Sequence, residues 1–269
     1  HPTTKGNLNV LITNGCTIIP VEHGELASGL VGEGRMAEVE TIVDFLKRFL
    51  GHFKSLEGKK ALITAGPTYE AIDPVRFIGN HSSGKMGYAL AEELASRGAQ
   101  VTLVSGPVSI QPKHSGIRLV KTTSAAQMYA ACFDQRDYDV AIMAAAVADF
   151  TPVAPAAQKI KKGAGEGLTV ELKKTEDILG SLGKEKRKEQ LLVGFALETN
   201  DEKENARKKL GKGADLIVLN SLNDSGAGFG KETNKISIIS KEGWEKDFET
   251  KPKTEVAKDI VDVISELLK

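Results

Sequence analysis

Short apolar runs that fit buried strands alternate with amphipathic helical patterns along most of this chain. After residue 59 the pattern predicts strands at 60–65, 100–105, 139–145, 191–197 and 215–219, and helices at 85–97, 124–134, 176–182, 201–212 and 253–268. Continuous apolar strands separated by helices are typical of a sheet that is covered on both faces. We therefore predict an α/β fold with a Rossmann-like, doubly wound and mainly parallel sheet.

Two stretches interrupt the alternation of strands and helices. Segments 158–162 and 168–173 flank a glycine-rich turn at 163–167, and this pattern predicts a hairpin flap. Segments 235–240 and 244–248 flank the turn 241–243 and predict a second hairpin.

The first fifty residues have a different pattern. They predict a short strand at 16–20, irregular glycine-rich chain at 24–36 and a helix over 38–49. So few apolar positions would hardly bury a core alone. We expect a boundary that separates residues 1–52 from a main domain at 57–269, and because the sequence starts at His1, we expect a piece of a longer protein.

Composition narrows the possible partners. The 36 basic and 36 acidic residues balance, which argues against nucleic acid or an anionic membrane surface as a partner. The sequence has no apolar run near the roughly 18 residues of a membrane span. Cys16 and Cys132 lie far apart without metal-ligand spacing, so we expect two reduced thiols in a cytoplasmic protein.

The first predicted helix of the main domain begins at a Ser/Gly-rich segment, Ser82 to Gly87. Free N–H groups at such a helix start attract phosphate, but the same residues also suit a capped and closely packed helix, and the local sequence does not decide. Met86 follows Lys85, so the P-loop spacing is absent. A nicotinamide site is disfavoured, because Gly84 and Gly87 alone match part of its glycine fingerprint and the second strand ends without a carboxylate.

Other polar residues sit in loops or at strand ends. Arg76 suits a bidentate anion contact, and Asn80 offers donors for an acyl group or its oxyanion. Asp149 ends a strand of small residues, where ligands bind in open sheets. Lys159 lies in a lysine-rich segment. The structural alternatives are a turn-forming Asn, a loop-capping Asp and a solvated edge strand.

Five segments, in order, resemble the bacterial phosphopantothenoylcysteine synthetase domain: AGPTYEAIDPVRFIGNHSSGKMG, AAAVADF, KIKK, VGFALETN and DLIVLN. The resemblance covers about residues 57–269. It implies CTP-dependent ligation of 4′-phosphopantothenate and cysteine in coenzyme A biosynthesis, through an acyl-cytidylate. It also implies Mg²⁺ with the CTP and a homodimer.

The resemblance assigns roles to residues of this chain. It implies catalytic roles for Asn80, Lys159 and Arg76, and leaves the metal ligands unknown. The nucleotide-binding positions that it implies are Ser82, Ser83, Gly84, Lys85, Gly87, Met143, Ala144, Ala145, Asp149, Lys159, Asp177, Ile178, Leu179, Phe195, Lys209 and Lys212.

Residues 1–52 resemble the end of the preceding flavoprotein decarboxylase domain. Ser28 stands where many relatives carry a catalytic Cys, and a hydroxyl is a far weaker acid than a thiol. The FMN-binding part would lie before His1, so we expect neither decarboxylase activity nor FMN in this chain. Two alternatives to the ligase stay open: a non-catalytic nucleotide-binding module and a nicotinamide-dependent oxidoreductase.

Overall fold

A computed structural model describes residues 1–25, 29–53, 55–161, 167–198, 202–221 and 231–269. It divides the chain into two compact units, His1–Lys54 and Ser55–Lys269. Ser28, Lys162 and residues 163–166, which are most of the predicted flap turn, lie outside the described residues.

The smaller unit contains two helices and a hairpin. Its elements are α1 (Pro2–Thr13), β1 (Glu22–Glu25), β2 (Val31–Arg35) and α2 (Val39–Phe53). The helix predicted over 38–49 is confirmed. The irregular chain predicted at 24–36 is wrong, because β1 and β2 pair antiparallel. Backbone hydrogen bonds rather than apolar alternation form this hairpin. The strand predicted at 16–20 is absent from the described structure, and Pro20 at its end lacks the N–H that a ladder uses.

The larger unit begins with β3 (Lys60–Ala65), β4 (Tyr69–Ala71), β5 (Phe77–Gly79), α3 (Lys85–Ser96), β6 (Gln100–Ser105), β7 (Ile117–Lys121), α4 (Ala125–Phe133) and β8 (Val140–Met143). It continues with β9 (Phe150–Pro152), β10 (Leu172–Lys174), α5 (Ile178–Glu185), β11 (Leu191–Glu198), α6 (Glu202–Leu210), β12 (Leu216–Ser221), β13 (Thr233–Ser240), β14 (Glu245–Pro252) and α7 (Lys253–Leu267).

Eight of these strands form one sheet in the order β7-β6-β3-β8-β11-β12-β13-β14. The strands from β7 to β12 are parallel, and the β13–β14 hairpin adds two antiparallel strands at one edge. The chain runs outward from β3 in one direction and then restarts at β8 in the other. This reversal confirms the doubly wound fold, and it opens a crevice beyond the carboxyl ends of β3 and β8.

Helices cover both faces of the sheet, as predicted. Alternate residues of β3 face opposite layers: Ile63 lies in a core with α3 and α7, and Leu62 lies in a core with α4 and α5. The buried Arg97, which follows α3, is ion-paired to Asp262 of α7 at 2.6 Å. This pair holds the two helices of one layer together.

Two parts of the larger unit differ from the predicted pattern. The edge strand β7 was not predicted, because its IRLVK sequence is short and half polar. The predicted pairing of 158–162 with 168–173 is wrong: residues 158–161 form no strand, and β10 pairs with β9. The lysine-rich segment is held instead by the preceding turn, where the Ala156 N–H donates to the Ile72 carbonyl at 2.9 Å.

Candidate active site

A cleft of about 800 Å³ lies at the crevice between β3 and β8. It is lined by the ends of β3, β8, β11 and β12, by the start of α3 and by the start of α5. Sixteen of the residues predicted for the site line it: Asn80, Ser82, Ser83, Gly84, Lys85, Gly87, Met143, Ala144, Ala145, Asp149, Asp177, Ile178, Leu179, Phe195, Lys209 and Lys212.

The start of α3 forms one wall of the cleft. Gly84, and not a serine, is the N-cap, with a φ of 75° that suits glycine. Its N–H donates to Ser82 Oγ at 3.3 Å. A Cβ on Gly87 would stand 2.6 Å from the Ala65 Cβ, so this glycine lets the helix start press against the end of β3. The N–H groups of a helix start are thereby brought to the crevice.

The chain after β8 forms the floor. The Ala145 N–H donates to Thr64 Oγ1 at 3.2 Å, and the Ala148 N–H donates to Thr68 Oγ1 at 3.0 Å. Asn80 Nδ2 donates to the carbonyls of Ala146 at 3.0 Å and Val147 at 3.3 Å. Asn80 therefore joins the loop before α3 to the floor of the cleft.

The opposite wall comes from α5 and α6. Asp177 caps α5 by accepting from the Gly180 N–H at 3.0 Å, and it accepts from Lys212 Nζ at 2.7 Å. Burial raises the pKa of Asp177, but the bonds from Lys212 and Gly180 outweigh it and leave this pKa below its ordinary value. Lys209 Nζ donates to the Phe195 carbonyl at 3.4 Å. The wall thus carries two cations and a charged carboxylate.

Two predicted catalytic residues, Arg76 and Lys159, are not among the residues that line the cleft. Arg76 Nε donates to the buried Asp73 carboxylate at 3.0 Å, and Arg76 Nη2 donates to the Ile160 carbonyl at 2.9 Å. The Ile160 N–H donates to the same carboxylate at 3.1 Å. The Arg76 hydrogen bond, with backbone bonds, holds the pKa of Asp73 well below its usual range. Arg76 and Asp73 therefore hold Ile160 like a clamp, and the neighbouring Lys159 is exposed.

Several lining residues were not among the predicted site residues. Asn220, Asn234 and Lys253 are three of them. Asn234 lies in the buried row of β13 between isoleucines and the cleft, so the alternation of TNKISIIS could have indicated it. Lys253 starts α7 and is 8% exposed; burial lowers its pKa. Lys85 is ion-paired to Glu232.

The cleft offers carboxylates without a preformed metal cage. Asp149, Glu176 and Asp177 line it. Within the described ranges no group of three or more His, Cys, Asp or Glu residues could hold a metal ion. Mg²⁺ bound with a nucleotide takes one or two protein carboxylates besides phosphate oxygens, and these side chains fit that need.

No helix in the described part of the chain is both long and apolar enough to span a membrane.

Several known proteins are similar to this chain in sequence. The Bacillus subtilis "Coenzyme A biosynthesis bifunctional protein CoaBC" is 48% identical over 273 residues, which cover all of this chain and 67% of that protein. The Vibrio parahaemolyticus protein of the same name is 44% identical, and 60% of its length is covered. A "Cysteine/Cysteine sulfinic acid decarboxylase" from an unknown prokaryotic organism is 54% identical, over 97% of this chain and 74% of that protein.

Two solved structures show the same architecture. The C-terminal domain of a CoaBC protein superposes with a TM-score of 0.68 at 41% identity, covering 80% of this chain and 98% of that one. The DNA/pantothenate metabolism flavoprotein of Streptococcus pneumoniae gives a TM-score of 0.67 at 27% identity, with 78% and 99% covered. Residues 56–268 match the DNA/pantothenate metabolism flavoprotein C-terminal domain, and the chain belongs to that family.

Proposed function

We propose that this chain ligates 4′-phosphopantothenate to cysteine with CTP. The observation that carries the proposal is the convergence on one cleft of Asn80, the α3 start and the cationic wall of α5 and α6. A helix start can bind phosphates, and small residues let a nucleotide approach the backbone closely. Relatives named for coenzyme A biosynthesis support the pathway.

The reaction has two displacements. A carboxylate oxygen of phosphopantothenate attacks the α-phosphorus of CTP; an O–P bond forms, and pyrophosphate leaves with the electrons of the broken bond. The cysteine amine then attacks the acyl carbon, the acyl C–O bond to the phosphate breaks, and CMP leaves. The ammonium of cysteine loses one proton to solvent to become the attacking amine and a second after the attack, and the amide keeps one N–H. Mg²⁺ would enter with CTP and offset the triphosphate charge.

We assign different residues of the cleft to the phosphates, the nucleoside and the acyl group. The N–H groups at the α3 start and Lys85 face the phosphates, where positive charge is needed. The backbone of Met143 to Ala145, the α5 start, Phe195 and Lys209 hold the nucleoside. Lys212, which is bonded to Asp177, adds a cation to that side. Asn80 handles the acyl group, since its amide can exchange a bond to the Ala146 or Val147 carbonyl for one to a developing oxyanion.

Lys159 and Arg76 act from outside the cleft in this proposal. Arg76 is a positioning residue, because it holds Ile160 rather than lining the cleft. Lys159 lies next to Ile160, and we propose that it closes over the nucleotide when substrates are bound.

The larger unit also exposes several large apolar side chains. Val75, Phe77, Phe150, Val153 and Leu172 are large apolar side chains exposed around β5, β9 and β10. Such a patch on a small unit suits a protein interface. We propose that it is buried in a cytoplasmic homodimer.

The decarboxylase name of one relative does not change the proposal. The family match covers residues 56–268, and that relative extends beyond this chain. We propose that decarboxylation and FMN belong to a preceding domain of which residues 1–52 are the end.

The test is pyrophosphate release by the full chain with Mg²⁺, phosphopantothenate and either CTP or ATP. We expect release with CTP that requires phosphopantothenate, and phosphopantothenoylcysteine when cysteine is added. CTP binding without release would identify a nucleotide-binding module instead. Pyrophosphate release with ATP but not with CTP would contradict CTP as the substrate.

A further inference from the structure

Two asparagines continue apolar rows of the sheet into the cleft. On β12, Leu216 and Val218 belong to the core with α3 and α7, and Asn220 takes the next position of the same face. On β13, Asn234 follows Ile238 and Ile236 in the same way. Because side chains alternate between faces, both amides point toward the α3 and α7 layer.

The two amides are close neighbours. Asn220 pairs with Ile236, two residues from Asn234. Such diagonal positions on one face lie about 7–8 Å apart. One small ligand group can therefore reach both.

Each amide has an unpaired oxygen. Within the described part of the chain, the Oδ1 atoms of Asn220 and Asn234 are buried and have no hydrogen-bond partner. Asn234 is 3% exposed, and its Nδ2 donates to Met86 Sδ at 3.6 Å. A buried acceptor without a donor is destabilising, and a leucine in either row would avoid this cost. The two oxygens therefore indicate a ligand that carries donors.

Positive charge lies beside these acceptors. Lys253 lines the same cleft and is the first residue of the 15-residue helix α7. The free backbone N–H groups at the start of α7 add to the positive potential. Buried oxygens that lack a hydrogen-bond donor, next to a positively charged helix start, match a molecule that carries both an ammonium and a carboxylate.

We infer that Asn220, Asn234 and Lys253 form the subsite for the zwitterionic α-amino acid that accepts the acyl group. The ammonium donates to the two amide oxygens, and the carboxylate faces Lys253 and the start of α7. A fully ionised phosphate has no hydrogen to donate, so it would leave both Oδ1 atoms, as they are oriented here, without a partner; this disfavours the phosphate of phosphopantothenate at this position. The subsite's role in ligation rests on the proposed function; its binding of the amino acid does not.

The experiment measures L-cysteine binding to the full chain by ligand-observed NMR in reducing buffer. Wild type is compared with Asn234→Leu, Asn220→Leu and the control Ser237→Ala, whose side chain lies on the other face of β13. We expect each leucine variant to weaken cysteine binding at least tenfold and the control to keep it. Cysteamine and 3-mercaptopropionate, which lack the carboxylate and the ammonium, should each bind at least tenfold more weakly than cysteine.

Activity and stability readouts separate the possible failures. The leucine variants should keep pyrophosphate release from CTP and phosphopantothenate, raise the KM for cysteine, and keep or raise Tm. Unchanged cysteine binding in both variants would overturn the subsite, as would a raised KM for phosphopantothenate instead. A wild type without pyrophosphate release, but with Asn234-dependent cysteine binding, would overturn the proposed function and leave the subsite standing.

Discussion

At the scale of single residues, Asn80 joins two parts of the cleft. Its amide nitrogen reaches the carbonyls of Ala146 and Val147, which belong to the chain after β8. The residue stands on the loop that leads into α3. The side chain that we propose to handle the acyl group therefore also links this loop to the floor of the cleft.

We predict that Asn80→Asp keeps CTP binding and loses amide formation. The carboxylate cannot donate a hydrogen bond and carries a negative charge that repels an oxyanion. Loss of one such donor lowers kcat by about 100- to 1000-fold. Calorimetry gives the CTP affinity, and product formation gives kcat.

The same chemical change at Asn9, on the exposed face of α1, serves as the control and should alter neither quantity. Wild-type kcat in the Asn80 variant would remove this side chain from the mechanism.

At the scale of elements, the turn that contains Asp73 and Arg76 holds the lysine-rich segment. Both the N–H and the carbonyl of Ile160 are bonded to this pair. The clamp places Lys159 by fixing its neighbour. We therefore expect the clamp to act by restraining the lysine-rich segment, and protease access to that segment tests this.

We predict that Arg76→Ala speeds tryptic cleavage after Lys159 and Lys161, because it removes the donor to Ile160 and the cation that pairs with Asp73. The expected change is several-fold, measured by mass spectrometry at early times. Arg118→Ala, an exposed change on β7, should leave the rate unchanged. Equal cleavage in wild type and Arg76→Ala would mean that the clamp does not hold this segment.

The elements show where sequence reasoning succeeds. Strands 60–65 and 100–105 were predicted with their observed bounds, because long apolar runs specify buried parallel strands. The β1–β2 hairpin and the pairing of β9 with β10 were missed. Their strands are short, exposed or glycine-rich, and partners distant in sequence decide their pairing.

At the scale of the whole molecule, Asp215 connects three segments of the larger unit. Its buried carboxylate accepts from the Leu192 N–H at 2.8 Å and from Lys186 Nζ at 2.9 Å, and it is paired with Lys241. These partners lie on β11, after α5 and in the β13–β14 turn. Burial raises the pKa of Asp215, but the Lys241, Leu192 and Lys186 bonds outweigh it, so the net pKa is lowered.

We predict that Asp215→Ala lowers the free energy of unfolding by about 3–5 kcal/mol, because it leaves the mostly buried Lys186 cation and the buried Leu192 N–H without their partner. The folded-state pKa lies below the unfolded value of about 3.9, so this contribution is complete above that pH and is lost as pH falls through the folded pKa.

Urea unfolding at pH 7 and at pH 3 should therefore show a larger difference between wild type and variant at pH 7. The control Asp137→Ala removes an exposed carboxylate and should change the midpoint little. An Asp215 effect that grows toward acid would contradict the sign of the shift.

Only some of the residues that line the cleft could be predicted from the sequence. Residues at the ends of parallel strands could be predicted to meet, and Asp149 and Phe195 do line the cleft. Asn234 and Lys253 reach it because the antiparallel β13–β14 hairpin returns both the start of β13 and the start of α7 to that edge, where Thr233 pairs with Pro252. The hairpin itself was predicted from the sequence, but its pairing with β12, which brings these residues to the cleft, was not.

In the ligation that we propose, the acyl group passes through a cytidylate. The most direct measurement uses phosphopantothenate with ¹⁸O in its carboxylate, incubated with the full chain, CTP, Mg²⁺ and cysteine. We predict one ¹⁸O atom in the phosphate of the CMP formed, since the O–P bond made in the first step is kept when the amine displaces CMP. CMP without ¹⁸O alongside phosphopantothenoylcysteine would contradict the acyl-cytidylate route.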